Sequence, residues 1–188
     1  MTDIYSDNDL LEQMKEGNTQ ALSLLFKRYY QALCRFSSTF IPDNKIVEEL
    51  TANVFINLWE NKDRVVIHTS LKSYLYRSAR NQSLSYLRKQ KNELYPMEEG
   101  YDLSDNKDQI PENIFIENEL NSQFLKAFQK LSPRAMMAFK LHRFDGLKYA
   151  EIAEIMNISV AAVEKNITAA LKMLHKELFS TDKISKPI

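Results

Sequence analysis

The last third of the chain carries a full set of helix start and stop signals. Ser132 followed by Pro133 predicts a helix start, because the hydroxyl can accept from free backbone amides and proline fits the first helical position. Gly146 predicts a stop, and Ser159 is a good N-cap for a further helix. Two helices joined by a short turn match the geometry that fits a DNA major groove. Residues 131–178 are therefore predicted to form a helix-turn-helix.

Apolar residues recur at helical spacing within this segment. In the predicted second helix they are Tyr149, Ile152, Ala153 and Met156, and in the third they are Val163, Ile167, Ala170, Leu171, Leu174 and Leu178. Ile158 precedes the third helix where a hydrophobic staple to Val163 would fix the entry angle. Since each helix has a single apolar stripe, we predict a small helical domain in which the other faces of these helices are exposed to solvent.

Glycine is scarce, with three residues in 188 where average usage of about 7% would give roughly thirteen. Scarce glycine together with long helical patterns predicts an all-α protein. A single cysteine, Cys34, allows no intramolecular disulfide and suits a reducing compartment. No signal peptide is recognisable, and no apolar run reaches the roughly 20 residues that cross a bilayer, so a cytoplasmic location is expected.

The formal net charge of zero hides a strong asymmetry along the chain. Residues 1–91 hold 13 Lys and Arg against 10 Asp and Glu, and residues 121–188 hold 11 against six. Residues 92–120 hold one against nine. We therefore predict two small helical domains joined by a flexible acidic linker: a domain at 1–91, the linker at 92–112, and a helix-turn-helix domain at 113–188.

In the first domain, helices are predicted from Ser6 or Asp7 to Gly17, from Asn18 or Thr19 through Phe36, from Pro42 to about Trp59, and from about Ser70 to Lys91. Another is predicted from about Glu112 through Leu131. In the helix from Pro42 to about Trp59, Val47, Leu50, Val54 and Leu58 form one stripe, Glu48, Ala52, Phe55 and Trp59 form a second, and Ile56 extends the apolar surface further round. A helix apolar over more than half its circumference is either deeply buried or shared with a partner. Core packing is as good an explanation as partner binding for Phe55.

The fourth predicted helix combines cations with aromatic rings. Leu71, Leu75 and Tyr86 fall on one side, and Arg77, Arg80, Asn81 and Arg88 on the other, with Lys72, Tyr74 and Tyr76 nearby. Basic groups neutralise phosphates and aromatic faces stack on unpaired bases. The alternative is a solvated basic face above core tyrosines.

The third helix, which ends at Trp59, and the basic fourth helix come before the helix-turn-helix. With these features in this order, the chain resembles an RNA polymerase sigma factor of the small extracytoplasmic-function (ECF) group. VEELTANVFINLW resembles the helix that docks on the polymerase β′ clamp helices. SLKSYLYRSARNQSLSYLRKQK resembles the segment that contacts and opens the minus-ten element, and the helix-turn-helix resembles the module that reads the minus-thirty-five element. Five positions depart from the family's pattern: Ala52 and Asn53 replace a Gln-acid pair, Ser85 replaces an aspartate, Lys148 replaces a capping Ser or Thr, and Gln82 replaces an aliphatic residue.

The resemblance implies a specificity subunit for promoter DNA, with site residues in three groups. Core polymerase would be bound by Glu48, Glu49, Ala52, Phe55, Leu58 and Trp59. The minus-ten element would be bound and melted by Lys72, Tyr76, Arg77, Arg80, Asn81 and Arg88, with a flipped base held near the 61–70 loop. The minus-thirty-five element would be read by Ala161, Ala162, Lys165, Asn166 and Ala169, with Arg134, Lys148 and Lys172 on phosphates. The polymerase β flap and an anti-sigma factor, often membrane-bound, are further implied partners.

Other classes of function explain less of the sequence. A helix-turn-helix regulator that binds DNA without polymerase leaves the stripe through Trp59 unexplained, and an interaction module leaves the basic faces unused. His68, His142 and His175 lie in unrelated segments without metal-ligand spacing, and there is no glycine-rich phosphate loop. We therefore expect no enzyme activity, no metal and no cofactor.

Overall fold

The computed structural model describes residues 5–94 and 122–179, with side chains described for 5–91 and 126–177. Across those ranges the secondary structure is eight α-helices without a strand. The chain divides into two compact units, Met1–Gln109 and Ile110–Ile188. The all-α prediction is confirmed for the described residues.

The first unit contains four helices, α1 (Asp7–Lys15), α2 (Thr19–Ser37), α3 (Asn44–Glu60) and α4 (Leu71–Leu94). Each of the first three begins where a side chain caps it: Ser6 accepts from the Asp9 amide, Asn18 from Gln20 and Asp43 from Lys45. The pKa of the Asp9 carboxyl is lowered because the Ser6 hydroxyl and amide both donate to it. These caps confirm the predicted helix starts.

α2 lies at the centre of this unit and packs against the other three helices. Its buried side chains include Leu25 and Leu33, and Phe36 near its end meets Phe40 and Tyr76. Gly17 has φ +90°, so the turn between α1 and α2 uses a conformation that favours glycine. The unit's core thus leaves the outer faces of α3 and α4, and the margin of α2, exposed.

The second unit contains α5 (Ser122–Gln129), α6 (Pro133–Arg143), α7 (Tyr149–Met156) and α8 (Val160–Phe179). Ser132 caps α6 and Pro133 occupies its first turn, as predicted. α8 packs on α5, α6 and α7 through Val163, Ile167, Ala170 and Leu174, all buried. A cluster around Phe128 and Phe139 fills the space between α5, α6 and α8.

Three boundary and packing predictions need correction or lie outside the described residues. α4 runs to Leu94, so residues 92–94 belong to a helix rather than to the predicted linker, and residues 95–112 lie outside the described residues. The helix predicted from about Glu112 is described only as α5, which begins at Ser122 and ends at Gln129. Leu171, predicted on the apolar stripe, is 54% exposed because it lies beyond the edge of the stripe that α5, α6 and α7 cover.

Candidate nucleic-acid and polymerase interfaces

The outer face of α8 is a continuous exposed surface, opposite the side chains that pack in the core. An open groove on this face is lined by Ala161, Glu164, Lys165, Thr168, Ala169 and Lys172. All six are exposed and recur at the three- and four-residue spacing of one helix side. We call this set the outer face of α8.

Four of the sequence-predicted residues, Ala161, Lys165, Ala169 and Lys172, lie on this outer face, and two lie beside it. Ala162 and Asn166 are half-buried, and the Asn166 Nδ2 donates to the Ala162 carbonyl at 2.8 Å. That bond directs one amide donor of Asn166 to its own helix backbone. The sequence interpretation missed Glu164 and Thr168, although counting the three- and four-residue spacing from Ala161 would have found them.

The turn before α8 is tightly specified. Asn157 adopts the left-handed conformation at φ 55°, and Ser159 caps α8 by accepting from the Ala162 amide at 3.2 Å. Asparagine tolerates this conformation better than most residues with a Cβ. The turn therefore fixes the direction in which α8 leaves α7.

Lys148 stands at the N-cap of α7 and makes no side-chain cap bond. The Glu151 carboxylate accepts from the Lys148 amide at 2.7 Å, which is the other half of a capping box and leaves the amides of the first turn without the bond that a hydroxyl would provide. Lys148 and Arg134, both predicted phosphate contacts, have exposed side chains. The start of α7 thus presents a cation in place of a cap.

The exposed side of α4 carries Arg77, Asn81, Ser85 and Arg88, at steps of three and four residues. Lys72 and Arg80 are half-buried and lie off this line. We call the four exposed residues the α4 strip. Arg77, Asn81 and Arg88 of the prediction fall on it, and Ser85, where the family pattern has an aspartate, leaves it free of negative charge.

The prediction that Tyr76 contacts DNA needs correction. Its side chain is 1% exposed and its ring lies 5.0 Å from that of Phe36, centroid to centroid, in the core. Tyr76 lies on the side of α4 that faces α2, while half-buried Tyr74 lies next to the α4 strip. Tyr74 is therefore the aromatic ring of this pair that can reach a base without unfolding the unit.

The connection from α3 to α4 is organised at both ends. The amides of Arg64 and Val65 donate to the Asn61 carbonyl at 2.8 and 3.0 Å, which closes a turn after α3. Ser70 caps α4, since its hydroxyl accepts from the Ser73 amide at 3.0 Å. Between these anchors the loop exposes Val66, so it presents an accessible side chain beside the start of α4.

Two residues predicted to contact polymerase are core residues instead. Leu58 is 0% and Phe55 is 3% exposed, and Phe55 packs against Phe26 with ring centroids 4.9 Å apart. Both lie on the side of α3 that faces α2 and α4, where apolar side chains exclude water. The core-packing explanation of Phe55 is the correct one.

The remaining outer surface of α3 is smaller and mixed in character. Glu48, Glu49 and Ile56 are exposed, while Ala52 and Trp59 are half-buried. The Lys62 Nζ lies 4.8 Å from the Trp59 ring centroid, a cation–π distance that holds the ring at the end of α3.

α2 adds aromatic residues that the sequence interpretation did not select. Phe26 is exposed, and its ring stacks on that of half-buried Tyr30 with the centroids 4.4 Å apart. The Phe26 ring also contacts Phe55 of α3. Burial raises the pKa of the Tyr30 phenol, and the neighbouring Cys34 and Glu48 raise it further. Phe26 and Tyr30 therefore extend the outer surface of α3 onto α2. We call the combined set, Phe26, Tyr30, Glu48, Ala52, Ile56 and Trp59, the α2–α3 surface.

Within the described residues, no group of three His, Cys, Asp or Glu side chains is placed to hold a metal ion. None of the helices in this part of the chain combines the length and apolarity that crossing a membrane requires.

Each structural unit contains the match to one region of a single protein class. Residues 25–93 match the family model of sigma-70 region 2, and residues 122–174 match that of sigma-70 region 4. The chain therefore belongs to the sigma-70 family of RNA polymerase sigma factors. Within that family it is an ECF sigma factor, which binds core RNA polymerase and directs promoter-specific transcription initiation.

Curated relatives match over nearly the whole chain. The ECF RNA polymerase sigma-E factors of Escherichia coli K12 and Haemophilus influenzae are each 26% identical over 186 residues, covering 95% of this chain and 97% and 98% of those proteins. Two solved structures share the fold at 19% identity. The sigma factor RpoE of Bartonella quintana, crystallised with the anti-sigma factor NepR, has a TM-score of 0.59 and covers 87% of this chain and 98% of its own. CnrH, in complex with the cytosolic domain of CnrY, has a TM-score of 0.61 and covers 95% and 99%.

Proposed function

We propose that this ECF sigma factor divides promoter recognition between its units through three separate surfaces. The outer face of α8 reads the minus-thirty-five element, with Lys148, Arg134 and Lys172 on phosphates. The α4 strip and the 61–70 loop hold the minus-ten element as it unpairs, with Tyr74 in the stacking role predicted for Tyr76. Strand opening is driven by capture of exposed bases, so the chain itself needs no catalytic group and no cofactor.

The α2–α3 surface docks on the β′ clamp helices of core polymerase in this proposal. The supporting observation is that Phe26 and Ile56 are exposed and Trp59 half-buried at the surface of a unit whose core is already filled. A protein that only binds DNA has no need of exposed aromatic and aliphatic side chains on the helices next to its basic one. A second docking contact, to the β flap, would be made by the second unit.

Regulation by an anti-sigma factor is part of the proposal. It is supported by the two solved relatives, each of which is in a complex, one with a named anti-sigma factor and the other with a cytosolic domain. Such a partner, membrane-bound or not, would compete with polymerase for a cytoplasmic sigma factor.

Run-off transcription with purified core polymerase and this chain, on a library of genomic fragments, tests the proposal. We expect transcripts that begin at defined positions on a subset of fragments, and none with core polymerase alone. Fragments that are bound without initiation would instead identify a DNA-binding regulator. Failure to associate with core polymerase in gel filtration would contradict the docking role of the α2–α3 surface.

A further inference from the structure

Glu164 is an acidic residue on the face of α8 that should meet DNA. It lies between Ala161 and Thr168 along the groove and is followed directly by Lys165. The side chain is exposed, and no hydrogen bond or ion pair joins it to another side chain in residues 5–91 or 126–177. Glu164 therefore has no side-chain partner within the described part of its own unit.

A carboxylate facing DNA is unfavourable unless it meets a specific donor. The phosphates on both sides of the DNA major groove repel the carboxylate, and most of the polar base-edge atoms in that groove are hydrogen-bond acceptors. The donors there are the amino groups of cytosine N4 and adenine N6. Adenine presents its N7 acceptor next to N6, whereas the cytosine edge presents N4 without an adjacent acceptor of its own, so a carboxylate favours cytosine.

Building on the proposed reading role of α8, we infer that Glu164 is a specificity-determining residue that accepts a hydrogen bond from cytosine N4 in the minus-thirty-five element. Lys165 and Lys172 follow it along the same face and supply cations for guanine edges and phosphates. Affinity and selectivity are then carried by different side chains. The lysines strengthen binding to any duplex, and Glu164 weakens binding to every sequence that does not offer the cytosine amino group.

This division predicts opposite effects on affinity and on selectivity. In Glu164→Gln the amide can donate to N7 and accept from N6 of adenine, and its neutral group no longer repels phosphates. We expect the cytosine-over-adenine preference at one position to fall roughly tenfold. Binding to unrelated duplex should become tighter. In Glu164→Ala the cytosine preference should disappear without a gain for adenine.

The experiment is selection with holoenzyme, made from core polymerase and the full chain, on promoter fragments with a randomised minus-thirty-five region. Enriched fragments are sequenced for the wild type, Glu164→Gln, Glu164→Ala and the control Glu16→Gln. Glu16 is exposed at the end of α1, so the control removes the same charge from the other unit. We expect the control to enrich the wild-type sequences.

The outcomes separate this inference from the proposed function. If wild-type holoenzyme enriches no minus-thirty-five sequence, the reading role of α8 fails. If it enriches a sequence and both Glu164 variants enrich the same one with unchanged base preferences, the reading role stands and the inference about Glu164 is wrong. An enriched element in which no position prefers cytosine also overturns it.

Discussion

The helices that carry function in the two units are buried to very different extents. α8 buries one stripe, Val163, Ile167, Ala170 and Leu174, and leaves a broad outer face. α3 buries Phe55 and Leu58 and α4 buries Tyr76, so each has only a partial surface left. In the second unit the proposed DNA-reading surface therefore lies on one helix. In the first unit the proposed polymerase surface is shared between α2 and α3.

This difference shows that the apolar residues of a helix must first be accounted for by core packing, and only those left exposed can be attributed to partner binding. A small unit has few apolar residues beyond those that its core needs, because its surface is large relative to its volume. The α2–α3 surface therefore consists of side chains at the margin of the core, such as Phe26 and Trp59, rather than of a separate apolar ridge. Four predictions test this comparison, beginning with the largest expected effect.

Leu58→Ala should destabilise the first unit by about 2–5 kcal/mol, because it opens a cavity at a fully buried site. Ile56→Ala, two residues away and 50% exposed, should change the free energy of unfolding by less than about 1 kcal/mol. Urea unfolding followed by circular dichroism measures both. Equal losses for the two variants would mean that α3 is not buried on the Leu58 side.

Trp59→Ala should weaken binding to core polymerase by about 2 kcal/mol, since a half-buried aromatic ring at a docking surface is a typical hot spot. Binding is measured by competition with labelled sigma factor for core polymerase. Trp59→Phe is the matched control and should retain most of the affinity. Binding of DNA by the second unit should be unaffected; a parallel loss there would indicate misfolding rather than a lost contact.

Lys148→Ser should stabilise the second unit by roughly 0.5–1 kcal/mol, because serine supplies the N-cap bond that α7 lacks. The same change should weaken promoter binding, and the slope of log binding constant against log salt concentration should fall in magnitude by about one. Lys148→Ala loses the cation without gaining the cap. If Lys148→Ser binds DNA as the wild type does, Lys148 makes no phosphate contact.

Tyr30→Phe should flatten the alkaline limb of the first unit's stability curve, the smallest of the four effects. The raised pKa of Tyr30 means that folding favours the protonated phenol. Its contribution is complete below the unfolded value near 10 and is lost as the pH rises through the folded value. Unfolding measured from pH 8 to 11 checks this. An unchanged slope above pH 10 would show that Tyr30 titrates alike in both states.

Much of the fold follows from local chemistry that is visible in the sequence. The starts of α1, α2, α3, α6 and α8 are marked by Ser6, Asn18, Asp43, Ser132 and Ser159, each of which caps its helix through a short-range bond. Periodicity predicts the buried residues Val163, Ile167, Ala170 and Leu174 of α8, but it places Leu171 on the stripe wrongly, and the side chain of Leu178 lies outside the described residues. Such features depend on neighbours within a few residues, and so they can be predicted without tertiary structure.

The functional surfaces were harder to predict because they depend on which helix covers which. Periodicity places Phe55 and Trp59 on one stripe, but only the packing of α2 decides that Phe55 is buried and Trp59 is not. Phe26 and Tyr30 were missed for the same reason, since α2 carries a broad apolar face and nothing local marks its edge. Tyr74 and Tyr76 differ by two positions, and the side of α4 facing α2 separates their roles.

Asn157 has a consequence for how this protein can diverge. Its left-handed backbone excludes nearly every residue with a branched side chain, so that corner accepts few replacements. The outer positions of α8 carry no such restriction, because their side chains point away from the core. Under the proposed reading role of α8, new promoter preferences can therefore evolve by exchanging those side chains one at a time, while the corner keeps the direction in which α8 leaves α7 unchanged.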